Sequence, residues 1–242
     1  MSKQGESEHV RMQLKTPRGA IIEILQDRPR LAGRLPVVVL AGGTFYNVRQ
    51  PIFESLAEAL TDAGIGVIRV EWAYRVKDPQ CKQHSPDRAA EIEDLRAALA
   101  HARSLEWVDR QRLILGGKSL GSIVSWHIFR DEPELRAAVL LTPIGKPQEA
   151  GPRLLGDNYP EAAQEKRPSL WVLGDDDEVC TLPVLYRHLA GYAGRARTLV
   201  VGGDQDLEQR SQATNGRIAD TSRSIKLLGA VATSFVTELA GS

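Results

Sequence analysis

The stretch "LILGGKSLGS", residues 113–122, holds the residue types best suited to chemistry. Gly117-Lys118-Ser119-Leu120-Gly121 has the spacing G-x-S-x-G, directly after an apolar run and at the start of a helical stripe. On a sharp strand-to-helix turn, this pattern lifts a serine hydroxyl above the end of a sheet. The glycines are needed because side chains there would strike the neighbouring strand and helix. Ser119 is then a candidate nucleophile for acyl transfer. The N–H of Leu120 falls at a helix N-terminus, where backbone donors lack intrahelical partners and the dipole favours an anion. It is one candidate oxyanion donor. A second is expected from the loop after an earlier strand. "LAGGTFYNV", Leu40 to Val48, lies there. Gly42 and Gly43 permit a close backbone approach, and Thr44 and Phe45 are the candidate donors. A glycine-rich turn that only packs a helix on a sheet would show the same letters, so the functional reading rests on the strand–turn–helix context.

The elements that must position these groups are legible as alternating periodicities. Residues 9–15 and 19–25 read as two strands around a Pro-Arg-Gly turn, an N-terminal hairpin. Leu35 to Gly43 is an apolar β-branched run, as in a strand buried on both faces. Residues 51–63 place Ile52, Leu56, Leu60 and Ala63 on one stripe, with Pro51 at the first helical position and Gly64 after the last. A strand over 65–72, a loop over 73–86 and a helix with Ile92, Leu95, Leu99 and Ala102 on one face follow. "RLILGG", "RAAVLLTP", "SLWVLGD" and "RTLVVGG" read as further strands, and helices are expected from Ser119 to Arg130, near 182–192, and over a final face running from Ile218 to Leu239. Alternation of this kind predicts an α/β fold with a mostly parallel sheet covered by helices on both faces. Sites in such sheets form beyond the carboxyl ends of the strands.

Composition narrows the function classes. The chain has 242 residues, 31 basic and 31 acidic. It shows no basic field for nucleic acid, and its length suits a single domain over 9–242 after a disordered start at 1–8. The start lacks the apolar core of a signal peptide. The longest apolar runs are strand-sized, so no membrane partner is expected and the cytoplasm is the expected compartment. Cys81 and Cys180 stand in no metal-type spacing, and nothing requires them to form a disulfide. The alternating Asp204, Asp206 and Glu208 miss the calcium-loop pattern because Gln209 stands at its glycine position. No histidine cluster suits zinc. Neither a metal nor a cofactor is expected, and the expected partner is a small molecule.

With "VVVLAGG", "GGKSLG" and "LGDDDEV" in this order, the chain from about Leu35 to Gly203 resembles the α/β-hydrolase superfamily. It is most similar to the small, cap-poor branch that includes dienelactone-hydrolase-like proteins. Many members carry His-Gly where Gly42-Gly43 stands here. The resemblance implies an α/β-hydrolase fold, with Ser119 as nucleophile and Asp177, the last residue of Gly-x-x-Asp, as the triad acid. That acid holds a histidine in the right tautomer. Asp175 and Glu178 read instead as an acidic helix start.

The family's histidine follows the last strand, often as Gly-Gly-Asp-His. Here Gly202, Gly203 and Asp204 match and the histidine slot is Gln205, which can hydrogen-bond a serine but cannot serve as its general base. The five histidines of the chain stand elsewhere. His9 lies in the N-terminal start. His127 is about 12 Å down the helix from Ser119. His101 and His188 lie inside their own helices. His84, in the 73–86 loop on the active-site side, is the surrogate candidate, against the plain alternative of a surface loop residue.

Three readings stay open. One is a serine-hydrolase-type enzyme acting on a small ester, thioester or related acyl compound with an altered triad. Another is a non-catalytic protein that binds a ligand or partner in the same pocket. The last is a lyase or isomerase using the oxyanion hole. The segment 143–169 is too short for a large helical lid, so an open site is expected, with Tyr46, Trp72, Tyr74 and Tyr159 as candidate lining aromatics.

Overall fold

A computed structural model of the chain describes residues 7–145, 158–207 and 221–240. The first strands, β1 (Ser7–Lys15) and β2 (Ile21–Pro29), pair antiparallel. The turn between them is closed by Thr16 N–H to Ala20 O at 2.8 Å, with Gly19 at φ 83°. Both strands run further than their apolar letters indicate. The extension of β2 carries buried Asp27, whose carboxylate meets Arg69 of the neighbouring strand at 2.9 and 3.1 Å. A buried ion pair replaces hydrophobicity there, so the strand is invisible to an apolar pattern.

The chain continues through β3 (Leu35–Ala41), α1 (Pro51–Asp62), β4 (Gly66–Glu71), α2 (Ala73–Lys77), α3 (Ala89–Ser104), β5 (Val108–Lys118) and α4 (Leu120–Asp131). It ends with β6 (Ala137–Leu141), β7 (Ser169–Gly174), α5 (Leu182–Leu189), β8 (Ala196–Val201) and α6 (Thr221–Ala240). The strands form one sheet in the order β1-β2-β4-β3-β5-β6-β7-β8. β2 joins β4 antiparallel, and every pairing from β4 to β8 is parallel. This is the α/β-hydrolase architecture expected from the sequence.

Helices α1 and α6 share one apolar cluster with Val38, Leu40, Val139 and Val172, while α3, α4 and α5 share the other with Val37, Val39, Ala138 and Trp171. All residues of β3, β6 and β7 are buried, as strands covered on both faces require. One expectation changes in detail. The 73–86 segment opens with the short helix α2 rather than running as loop throughout. Ile218 and residues 146–157 of the 143–169 segment lie outside the described residues.

Candidate functional site

The strand-to-helix turn is built as the sequence predicts. Ser119 lies between β5 and α4 with φ 54° and ψ −114°, a conformation L-residues adopt at a cost of about 1–3 kcal/mol. The packing leaves it little choice. Its N–H donates to Leu141 O at 2.9 Å, and its carbonyl accepts the N–H of Ser122 at 3.0 Å and of Ile123 at 3.3 Å. The glycines are obligatory: a Cβ on Gly117 would sit 2.6 Å from the Gly121 backbone, and one on Gly121 would sit 2.3 Å from Ala41 O. Behind the turn runs a chain of donors that the sequence did not reveal. Ile144 N–H donates to Tyr159 Oη at 3.0 Å, and Tyr159 Oη meets Ser122 Oγ at 2.7 Å. Ser122 Oγ then donates to Ser119 O at 2.6 Å.

The loop after β3 lies against this turn. A Cβ on Gly43 would stand 3.4 Å from Ser119 Cβ and 3.3 Å from Lys118 O. The Gly43 N–H is engaged by Tyr46 O at 2.8 Å. The amides of Thr44 and Phe45 make no backbone hydrogen bond among the described residues, and neither does that of Leu120 at the first position of α4. The loop is held from behind: Trp72 Nε1 donates to Gly42 O at 2.9 Å and Arg75 Nη1 to Thr44 O at 3.1 Å. Arg75 also pairs with Glu71 at 3.3 Å, although burial still raises the Glu71 pKa. Trp72 and Tyr159, two of the candidate lining aromatics, are instead fully buried braces of the site. Each carries a polar atom that needs an internal partner, which draws it into the core.

Asp177 follows β7 and is 3 % exposed. Its Oδ1 accepts the N–H of Val179 at 2.8 Å and of Cys180 at 3.0 Å, while its Oδ2 has no partner among the described residues. Burial pushes its pKa up to about 6 against the lowering effect of those two amides and of Lys118. Gln205 follows β8. Its Nε2 donates to Thr142 O at 3.1 Å, and its buried Oε1 has no partner among the described residues.

The residue that links these loops was not singled out in the sequence. Lys118, the first variable position of G-x-S-x-G, is buried, with Nζ 2.8 Å from Gln205 O and 3.1 Å from Asp206 Oδ1. It also lies 4.5 Å from the centre of the Tyr46 ring. Burial lowers its pKa, and Asp206 is the largest opposing influence. The available signal was its place at the end of a strand buried on both faces, where a lysine must find internal partners.

No histidine is hydrogen-bonded to Ser119 among the described residues. His84 Nδ1 lies 2.7 Å from Ser85 O, so the ring donates there from Nδ1 and presents Nε2 as its acceptor. His127 and His188 are pushed towards the neutral form by burial, and the Nε2 of each is buried without a partner. His101 bonds Gln26 at 2.9 Å and His9 bonds Asp27 at 2.7 Å, both on the side of β2. The Cys180 thiol is pushed up to about 12 by burial, which removes it as a nucleophile. Among the described residues no cluster of three His, Cys, Asp or Glu side chains could hold a metal ion, and no helix is long and apolar enough to cross a membrane. The structure thus gathers Ser119, Leu120, the 43–45 backbone, Asp177 and Gln205 at the carboxyl ends of β3, β5, β7 and β8, while His84 stands on the loop after α2 with its Nδ1 bonded to Ser85 O.

The family model described as "Alpha/beta hydrolase domain" matches residues 34–231. No curated protein matches the chain. Among solved structures, Est1E from Butyrivibrio proteoclasticus is similar, with TM-score 0.69 and 16% identity over 96% of this chain and 99% of that one. An alpha-beta serine hydrolase homologue from Coxiella burnetii is similar as well, with TM-score 0.69 and 16% identity over 93% of this chain and 96% of that one.

Proposed function

The chain belongs to the alpha/beta hydrolase family, and from that premise we propose that it is a serine-hydrolase-type enzyme acting on a small ester, thioester or related activated acyl compound. Ser119 Oγ attacks the acyl carbon. Leu120 N–H and an N–H of Thr44 or Phe45 receive the oxyanion. The leaving group departs to give an acyl-Ser119 that water hydrolyses. The observation that carries this reading is the strained Ser119 backbone (φ 54°, ψ −114°) set against backbone amides that no other described residue bonds. Strain of this kind persists where the surroundings enforce it, typically at functional sites.

Gln205 sets the expected rate. Loss of the histidine lowers kcat of a complete triad by roughly 10⁶ in the handiest precedent, subtilisin, while an oxyanion hole and binding leave roughly 10³–10⁴ over water. Substrates with good leaving groups are therefore favoured. His84, through its acceptor Nε2, is the proposed recipient of the serine proton.

A fluorophosphonate probe tests the scheme on the native chain beside Ser119→Ala, His84→Ala and Gln205→His. Slow labelling that needs both Ser119 and His84 is the expected result. Labelling absent from the native chain but gained in Gln205→His would mean a retired triad kept for binding. No labelling in any variant would remove Ser119 as nucleophile.

A further inference from the structure

Three oxygens at this site have no use in the scheme above. Thr142 Oγ1, Asp177 Oδ2 and Gln205 Oε1 are each buried without a hydrogen-bond partner among the described residues. They stand just past the ends of the adjacent strands β6, β7 and β8, on backbones stapled to one another. Gln205 Nε2 donates to Thr142 O at 3.1 Å, and Thr142 N–H to Val172 O at 2.7 Å. Asp176 N–H donates to Gly203 O at 2.9 Å, and Gly203 N–H to Asp175 Oδ1 at 2.8 Å. Thr142 is held at φ 44°, an uncommon conformation for a β-branched residue.

An orphaned buried polar atom costs roughly 1–3 kcal/mol. Three on the loops that end three adjacent strands call for donors that the described residues do not supply. Their chemistry specifies the ligand. A carboxylate oxygen and an amide oxygen only accept, and a hydroxyl accepts readily, whereas an ammonium offers three N–H donors and no acceptor. The charge agrees. Among the described residues, Asp177, Asp204 and Asp206 all act on the ammonium of Lys118, which is already engaged by Gln205 O and Asp206. A divalent metal is a poorer match, since calcium and magnesium take about six or more oxygens.

We propose that Thr142, Asp177 and Gln205 form a subsite for a primary ammonium group, so that the acyl compound offered to Ser119 carries a free amine, as in an aminoacyl ester or thioester. Only the second half rests on the acyl-transfer reading. Gln205 then has a positive reason to replace histidine. A histidine there would turn cationic on taking the serine proton and repel the ammonium, while a glutamine oxygen accepts from it at every pH.

The subsite is tested in Ser119→Ala protein by carboxyl-carbon NMR of Asp177 at neutral pH. Methylammonium chloride is titrated in against tetramethylammonium chloride, which has the same charge and no N–H. The expected result is a saturable, methylammonium-specific change at Asp177 with a fall in its pKa, weakened about tenfold or more in Gln205→Leu and in Thr142→Val. An equal response to both salts, or the same response to potassium or magnesium chloride, would overturn the subsite.

The substrate class is tested with native protein on p-nitrophenyl esters of glycine and of acetate. A preference of about tenfold or more for the glycine ester, lost in Gln205→Leu, is expected. Preference for the acetate ester would overturn the substrate class. If neither ester is cleaved, the acyl-transfer reading fails while the NMR result still decides the subsite.

Discussion

At the scale of single residues, Asp177 decides most. Burial is the largest influence on it, ahead of the amides of Cys180 and Val179 and the charge of Lys118, and Asp204 adds to the rise from 3.8 to about 6. A carboxyl whose folded pKa lies above its unfolded one contributes stability below the unfolded value and loses it as pH rises through the folded value. Asp177→Asn removes that ionisation and keeps an oxygen for the two amides. It is therefore expected to stabilise the protein by about 1–3 kcal/mol near pH 8, with the gain vanishing below about pH 4. Urea unfolding across that range checks it, and an unchanged difference at all pH values would refute the assignment. Ser119, Leu120 and the 42–45 loop were legible in the sequence because a tight turn dictates glycine at fixed spacing. Lys118 was not, because G-x-S-x-G leaves its position open and only the return of the 203–206 loop gives that ammonium its partners.

At the scale of elements, the site is a set of loops pressed on one another, and the glycines report how hard. A methyl on Gly121 would meet Ala41 O at 2.3 Å and Gly42 O at 2.7 Å, both backbone. Gly121→Ala must push α4 off β3, and a loss of several kcal/mol, more than the about 1–3 kcal/mol usual for overpacking, is expected in thermal or urea unfolding. A methyl on Gly43 meets nothing closer than 3.3 Å. Gly43→Ala should fold with a near-native midpoint yet slow fluorophosphonate labelling, since the shift it forces falls on Lys118, Tyr46 and Ser119. The Tyr159 chain offers a second contrast. Tyr159→Phe leaves the part-buried Ile144 N–H and the buried Ser122 Oγ short of a partner, which predicts a loss of about 1–3 kcal/mol. Periodicity revealed the core helices and parallel strands because their burial repeats. It missed α2 and the Tyr159 brace, whose placement depends on contacts between segments far apart in the chain.

At the scale of the whole molecule, the hydrolase sheet has to hold an antiparallel hairpin on the edge of a parallel stack, and the join is electrostatic as well as apolar. Asp27 of β2 and Arg69 of β4 are both buried, and Arg69 also donates to Val48 O at 2.8 Å. His9 of β1 reaches the same carboxylate at 2.7 Å, so one side chain ties three strands together. Removing one member of such a set leaves a buried charge with too few partners, a cost of about 3–5 kcal/mol, whereas replacing both partners with apolar groups is often neutral. Asp27→Leu should therefore lower Tm by roughly 10 °C, at about 2–4 °C per kcal/mol for a domain of this size. The double replacement Asp27→Leu with Arg69→Met should recover most of that loss, apart from what the bond to Val48 O contributes. Because Val48 belongs to the same loop as Thr44 and Phe45, Ser119 labelling measured beside Tm separates two roles. If labelling falls in the double variant while Tm recovers, the ion pair also positions the 42–50 loop. If neither recovers, apolar groups cannot replace the charged join between hairpin and stack.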